Sequence, residues 1–65
     1  MRNKKKLLLW ANTAALYSVL TRDEIQAGRF KTSLERDKIL KYLSRINRLS
    51  EKIGKFLMEA SYERS

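Results

Sequence analysis

The chain has 65 residues, a formal net charge of +8, and neither cysteine nor histidine. A chain of this length forms one domain at most, here residues 1–65, and buries only about 60% of the surface that its unfolded form exposes. The missing residue types exclude disulfides and the usual zinc ligands, and they remove the commonest general base and the most nucleophilic side chain. We therefore expect a protein that is not an enzyme, uses no metal or cofactor, and gains stability by associating with a partner.

The first predicted element is a helix over about residues 4–20. The chain has no proline and only two glycines, a composition that favours helix almost throughout. Lysines followed by leucines are also typical of a signal peptide, but Asn12 and Thr13 interrupt the apolar run. The stretch from Leu7 to Leu20 is too short to cross a bilayer, which takes about 20 residues. The pattern therefore predicts a folded helix.

This first helix carries apolar residues on two faces, and a helix of that kind should be buried nearly all round. A homodimer that packs two hairpins into a four-helix bundle would cover both faces, and we favour it. Alternatively, one face docks on a larger protein, where aromatic residues often dominate the binding energy, or lies on a membrane surface. The first face consists of Leu8, Leu9, Ala15, Leu16, Val19 and Leu20. The second face, which we predict to be the partner interface, consists of Leu7, Trp10, Ala14 and Tyr17.

Two capping-box patterns, each a threonine followed three residues later by a glutamate, mark predicted helix starts at Thr21 and Thr32. They predict a short helix over about residues 22–27, ended by Gly28, and a long helix over about residues 33–60. The tail, residues 61–65, is expected to fray. The expected fold is therefore all-α: a helical hairpin with a short intervening helix and a long C-terminal helix, dimeric as a helical bundle.

The long helix carries two parallel stripes, because residues spaced by three or four positions share one side of a helix. We expect the apolar stripe to be the core face and the basic stripe, which spans about 25 Å, to face outward. The apolar stripe consists of Ile39, Leu43, Ile46, Leu49, Ile53, Phe56 and Ala60. The basic stripe consists of Lys38, Lys41, Arg45, Arg48, Lys52 and Lys55.

A one-sided row of cations matches the phosphates of a nucleic acid, because a basic ridge gains affinity by releasing condensed counterions. The plainer interpretation is a solvated face of a basic protein. We predict a small accessory or regulatory protein that binds DNA or RNA phosphates through the basic stripe. The alternative is a protein-binding modulator, an inhibitor or adaptor that docks through the apolar N-terminal helix; a membrane surface is a third candidate partner. The lack of cysteine fits a reducing compartment but is also found in many secreted proteins; we expect a cytoplasmic, intracellular location.

Overall fold

The protein is an all-helical pair. The computed structural model describes the backbone of residues 4–64 and the side chains as far as residue 59; residues 1–3 and 65, and the side chains of 60–64, lie outside the description. Helix α1 spans Lys4–Gln26 and helix α2 spans Ser33–Arg64. Within residues 4–64 there is no strand. The prediction of an all-α fold is confirmed.

The two helices pack side by side in opposite directions, as in a helical hairpin. Trp10 near the start of α1 contacts Phe56 near the end of α2, with ring centroids 6.2 Å apart. Further along α1, Tyr17 contacts Tyr42, with ring centroids 5.8 Å apart. Residues early in α1 therefore contact residues late in α2, and later residues of α1 contact earlier residues of α2. The molecule measures 50 × 17 × 13 Å. Neither helix, over its described residues, is long and apolar enough to span a membrane.

The separate short helix predicted over residues 22–27 is absent, because α1 continues through Thr21 to Gln26. The Thr21 hydroxyl does not cap a new helix; it donates to the backbone carbonyl of Tyr17 at 2.8 Å, within the preceding turn. No glycine or proline ends α1 before this threonine. The helix start predicted at Thr21 is therefore wrong, since the hydroxyl of a threonine inside a helix can donate to a backbone carbonyl of the preceding turn.

The second capping box is confirmed and starts α2. The Thr32 hydroxyl accepts a hydrogen bond from the Glu35 backbone N–H at 3.2 Å, and the Glu35 carboxylate accepts one from the Thr32 N–H at 3.0 Å. The same carboxylate also accepts from the Lys31 N–H at 3.2 Å. These bonds, chiefly those from Thr32, hold the pKa of Glu35 below its usual range. At its other end α2 passes the predicted limit at residue 60 and reaches Arg64; Ser65 lies outside the described residues.

The turn between the helices depends on Gly28, the predicted stop. Its φ is +75°, in the left-handed region that costs a side chain free energy. The Gly28 N–H donates to the Ile25 carbonyl at 3.0 Å, and the Arg29 N–H donates to the Glu24 carbonyl at 2.9 Å. This pair of bonds is the Schellman motif, which satisfies carbonyls that the end of a helix would leave unpaired.

The hydrophobic core between the helices is thin. Among the residues whose burial is described, Ile39, with 8% of its surface exposed, is the one buried hydrophobic residue, and no side chain is fully buried. Four members of the apolar stripe are half-buried against α1: Ile46, Leu49, Ile53 and Phe56. Leu43 is an exception, with 46% exposed; Tyr42 takes its place because its ring meets Tyr17 across the pair. The side chain of Ala60 lies outside the description.

The two apolar faces of α1 have exchanged the roles that the sequence suggested. The predicted partner interface (Leu7, Trp10, Ala14 and Tyr17) is half-buried and packs within the molecule, with the two aromatic rings against α2. The opposite face, which includes Leu8, Leu9, Leu16 and Val19, is exposed. A single helix wheel cannot tell these faces apart, since both are apolar. The large rings face inward because only they reach the aromatic rings of α2.

Candidate nucleic-acid interface

All six side chains of the basic stripe are exposed. They recur at alternating spacings of three and four along α2, which keeps them on one flank beside the core stripe over about 25 Å. This flank is the side of α2 between its core face and its back, which points away from α1. The six side chains therefore lie next to α1. The stripe is therefore part of a surface that both helices build.

Among the described side chains, only the first cation of the stripe forms an ion pair with a carboxylate. Lys38 Nζ lies 3.9 Å from Glu24 Oε1. Glu24 is already engaged, because the Arg29 guanidinium donates to both of its carboxylate oxygens at 3.0 Å. Those hydrogen bonds hold the pKa of Glu24 below its usual range, with the nearby charges of Arg29 and Lys38 adding to the effect against partial desolvation.

The remaining five cations form a continuous unpaired row. Between Lys41 and Lys55 no ion pair to a described carboxylate is present. The row covers about 21 Å of helix, and its members carry donors and no acceptor. Its chemistry therefore fits a series of anionic oxygen acceptors in a line.

Two tyrosines lie among these cations. Tyr17 of α1 and Tyr42 of α2 line one shallow groove together with Lys41, Arg45 and Arg48. Their rings are tilted by 38° to each other, and a phenol can donate to a phosphate oxygen. Sequence analysis placed Tyr17 at a partner interface and missed its place here, because one helix gives no information on what its neighbour brings to the same groove.

The first helix also adds a cation that sequence analysis missed. Lys6 Nζ lies 5.4 Å above the centre of the Trp10 ring, within range of a cation–π interaction. Trp10 in turn lines a groove with Lys52 and Lys55. Lys6 therefore extends the positive surface onto α1 at this end. Glu59 lines the same groove and marks where the row of cations stops.

The surface is broader than one helix. Two packed helices make the molecule 17 Å across, whereas the major groove of B-DNA is about 12 Å wide. The geometry therefore favours contact with rows of phosphates over insertion of the stripe into a groove. Asn47, which could have read base edges, lies on the opposite flank of α2 by its helical position, away from Arg45 and Arg48.

The described residues contain no cluster of three or more side chains that could hold a metal ion. Comparison with protein-family models, with curated proteins and with solved structures finds no match to this chain.

Proposed function

We propose that this is a small non-enzymatic accessory or regulatory protein that binds the phosphate backbone of a nucleic acid. One observation carries the proposal: the exposed cations from Lys41 to Lys55 occupy one flank of α2 and form no ion pair with any described carboxylate. We call this flank, with Lys38 and Lys6, the basic surface.

A solvated face that is basic by chance does not account for this arrangement as well. Like charges three or four positions apart destabilise a helix, and interspersed acids would relieve that cost while keeping the protein soluble. Acids are present on α2, but Asp37 and Glu59 lie at the two ends of the row, in grooves with Lys41 and with Lys55, and no described carboxylate forms an ion pair with the row. The lack of ion pairs along the row supports a polyanionic partner, for which counterion release supplies the affinity.

The proposed binding mode is sequence-tolerant. A surface of this width follows phosphates, and phosphate contacts position a protein without reading sequence. Arg45 and Arg48 are the side chains with the chemistry for bidentate bonding to guanine, yet both also lie in the row of phosphate-binding cations. We therefore expect similar affinities for duplexes of different sequence.

The direct test is a titration of labelled duplex DNA, duplex RNA and single strands of equal length, followed by fluorescence anisotropy over a range of salt concentrations. We expect binding at low salt that weakens steeply as salt rises, with little dependence on sequence. Vesicles of neutral and of anionic lipid serve as competitors, and we expect neither to displace the nucleic acid. Absence of binding to every oligonucleotide at low salt would refute the proposal.

A second candidate function, a protein-binding modulator, is favoured by the exposed leucines of α1. Leu9 and Leu16 expose 63% and 57% of their surface, and they lie seven positions apart, on one side of α1. These leucines now replace Trp10 and Tyr17 as the contact residues of that candidate. Changing both leucines to glutamine should leave oligonucleotide binding intact, and it would abolish a partner interaction that depends on this face.

A further inference from the structure

The flank of α2 opposite the basic surface has no charge. Its positions recur at alternating spacings of three and four, like those of the basic stripe, and the leucines among them are about half exposed. A row of this kind is one side of a helix, and small residues in it allow another helix to approach closely. The row consists of Leu40, Leu43, Asn47, Ser50, Gly54 and Leu57.

Helix α1 continues this uncharged flank. Ile25 and Leu40 line one depression on this side, next to Phe30, the buried Ile39 and Arg36. Residues seven positions apart share a side of a helix, so Ser18 and Ala11 lie in line with Ile25. Thr13 lies on the other side of the helix pair, the side of the basic surface, because it lines a groove with Arg45 and Lys52.

The two helices therefore build a second broad surface, which we call the uncharged side. On α2 it contains no Lys, Arg, Asp or Glu from Leu40 to Leu57, and on α1 none from Leu8 to Ser18. Its members on α1 are Leu8, Ala11, Ala15 and Ser18. The same rows continue to Arg22 on α1 and Arg36 on α2, both exposed, and these two arginines bound the uncharged side at the turn between the helices.

We propose that the uncharged side is the interface at which two copies of this chain form a symmetric dimer. Charge selects the occupant. Two copies that each carry a net charge of +8 repel one another wherever their cations meet. An acidic protein would be drawn to the basic surface, and the uncharged side offers it no counter-charge. A second copy, meeting the same patch about a twofold axis, brings no charge to the contact.

The size of the surface and the thinness of the core also favour a second copy. Over the 17 positions from Leu40 to Leu57 the side is about 25 Å long, and the molecule is 17 Å across. Its projection is roughly 400 Å², about half of the roughly 800 Å² of accessible area that each partner buries in a standard interface, and the corrugation of the surface makes up part of the difference. A four-helix bundle would bury residues that the single pair leaves half exposed.

The test compares the mass in solution of matched variants by sedimentation equilibrium. Ser50 lies in the uncharged side, whereas Ser44 lines the groove with Lys41 and Arg45 of the basic surface, and both serines are exposed. We expect the wild type and S44K to have twice the chain mass of 7.7 kDa, and S50K to have the single chain mass. S50A should remain dimeric, because alanine adds no charge.

A second measurement decides the proposal even if S50K fails to fold. The melting temperature of a dimer rises with protein concentration, whereas that of a monomer does not. We expect a rise for the wild type between micromolar and hundreds of micromolar. A monomeric wild type with a constant melting temperature, or an S50K that stays dimeric like S44K, would overturn the proposal.

The dimer does not rest on the proposed nucleic-acid binding, and the two can fail separately. Ser50 and the basic surface lie on opposite flanks of α2, so S50K should retain salt-dependent binding to duplex oligonucleotides. A dimeric wild type without oligonucleotide binding would support the dimer interface and refute the proposed function. A monomeric wild type that binds oligonucleotides would refute the dimer interface and support the proposed function.

Discussion

The salt dependence of oligonucleotide binding gives the sharpest test of the basic surface. Each phosphate contact on duplex DNA contributes about −0.9 to the slope of log affinity against log salt. If the six cations of the basic stripe each meet a phosphate, the slope is about −5.4, and a fourfold rise in salt lowers the affinity about 2,000-fold. The variant that we would compare with the wild type replaces four of the six with glutamine: Lys41, Arg45, Arg48 and Lys52.

For this variant the two remaining contacts predict a slope of about −1.8, so the same rise in salt costs only about 12-fold in affinity. The substituted side chains are exposed and form no described ion pair, so the fold should survive. Far-UV circular dichroism checks that the helix content is unchanged, and fluorescence anisotropy measures the slope.

A matched control removes the same number of positive charges elsewhere. It changes four exposed cations that lie outside the basic surface, so its net charge equals that of the test variant. We expect its slope to stay close to that of the wild type. If the control loses as much slope as the test variant, overall charge and not the basic surface determines binding, and the reasoning is refuted. The control positions are Lys5, Arg22, Lys31 and Arg36.

Three further predictions concern stability. The pKa of Glu24, held low chiefly by the Arg29 hydrogen bonds, implies stabilisation at pH values above the unfolded pKa of about 4.3 that is lost as the pH falls through the folded pKa. Melting temperatures across acid pH should therefore fall less steeply for E24Q than for the wild type, and equal slopes would contradict this. G28A should cost about 1 kcal/mol because of its positive φ; urea denaturation measures the loss, and a free energy of unfolding equal to that of the wild type would be inconsistent with the turn geometry. T32A should cost about 1 kcal/mol through loss of the cap, while S33A should change the free energy of unfolding by less than about 0.5 kcal/mol; equal losses would show that Thr32 does not cap α2 in solution.

Local signals in the sequence predicted the ends of the helices where a backbone requirement was unique. Gly28 could be identified because only glycine takes its φ at little cost, and Thr32 because its hydroxyl and Glu35 satisfy each other. Thr21 misled because the same residue type can bond backward within a continuous helix. The difference depends on whether anything ends the preceding helix, which a four-residue pattern does not contain.

Packing between the helices could not be predicted in the same way. Both faces of α1 are apolar, so the sequence left open which one meets α2, and the rings of Tyr17 and Tyr42 decide it. The positions of the basic stripe followed from helical periodicity within α2 alone. Its neighbours did not, since Lys6 and Tyr17 reach it only through the way in which the two helices pack.

The basic surface and the uncharged side lie on opposite flanks of α2, and this opposition sets the valence of a dimer. If two hairpins meet through their uncharged sides, their cations point outward in opposite directions. One polyanion held on one side cannot reach the other, so each dimer links two separate strands. We expect light scattering to rise as the oligonucleotide concentration approaches that of the dimer, because each dimer then cross-links two oligonucleotides, and to fall again when oligonucleotide is in excess. The S50K monomer should bind oligonucleotide without this rise in scattering.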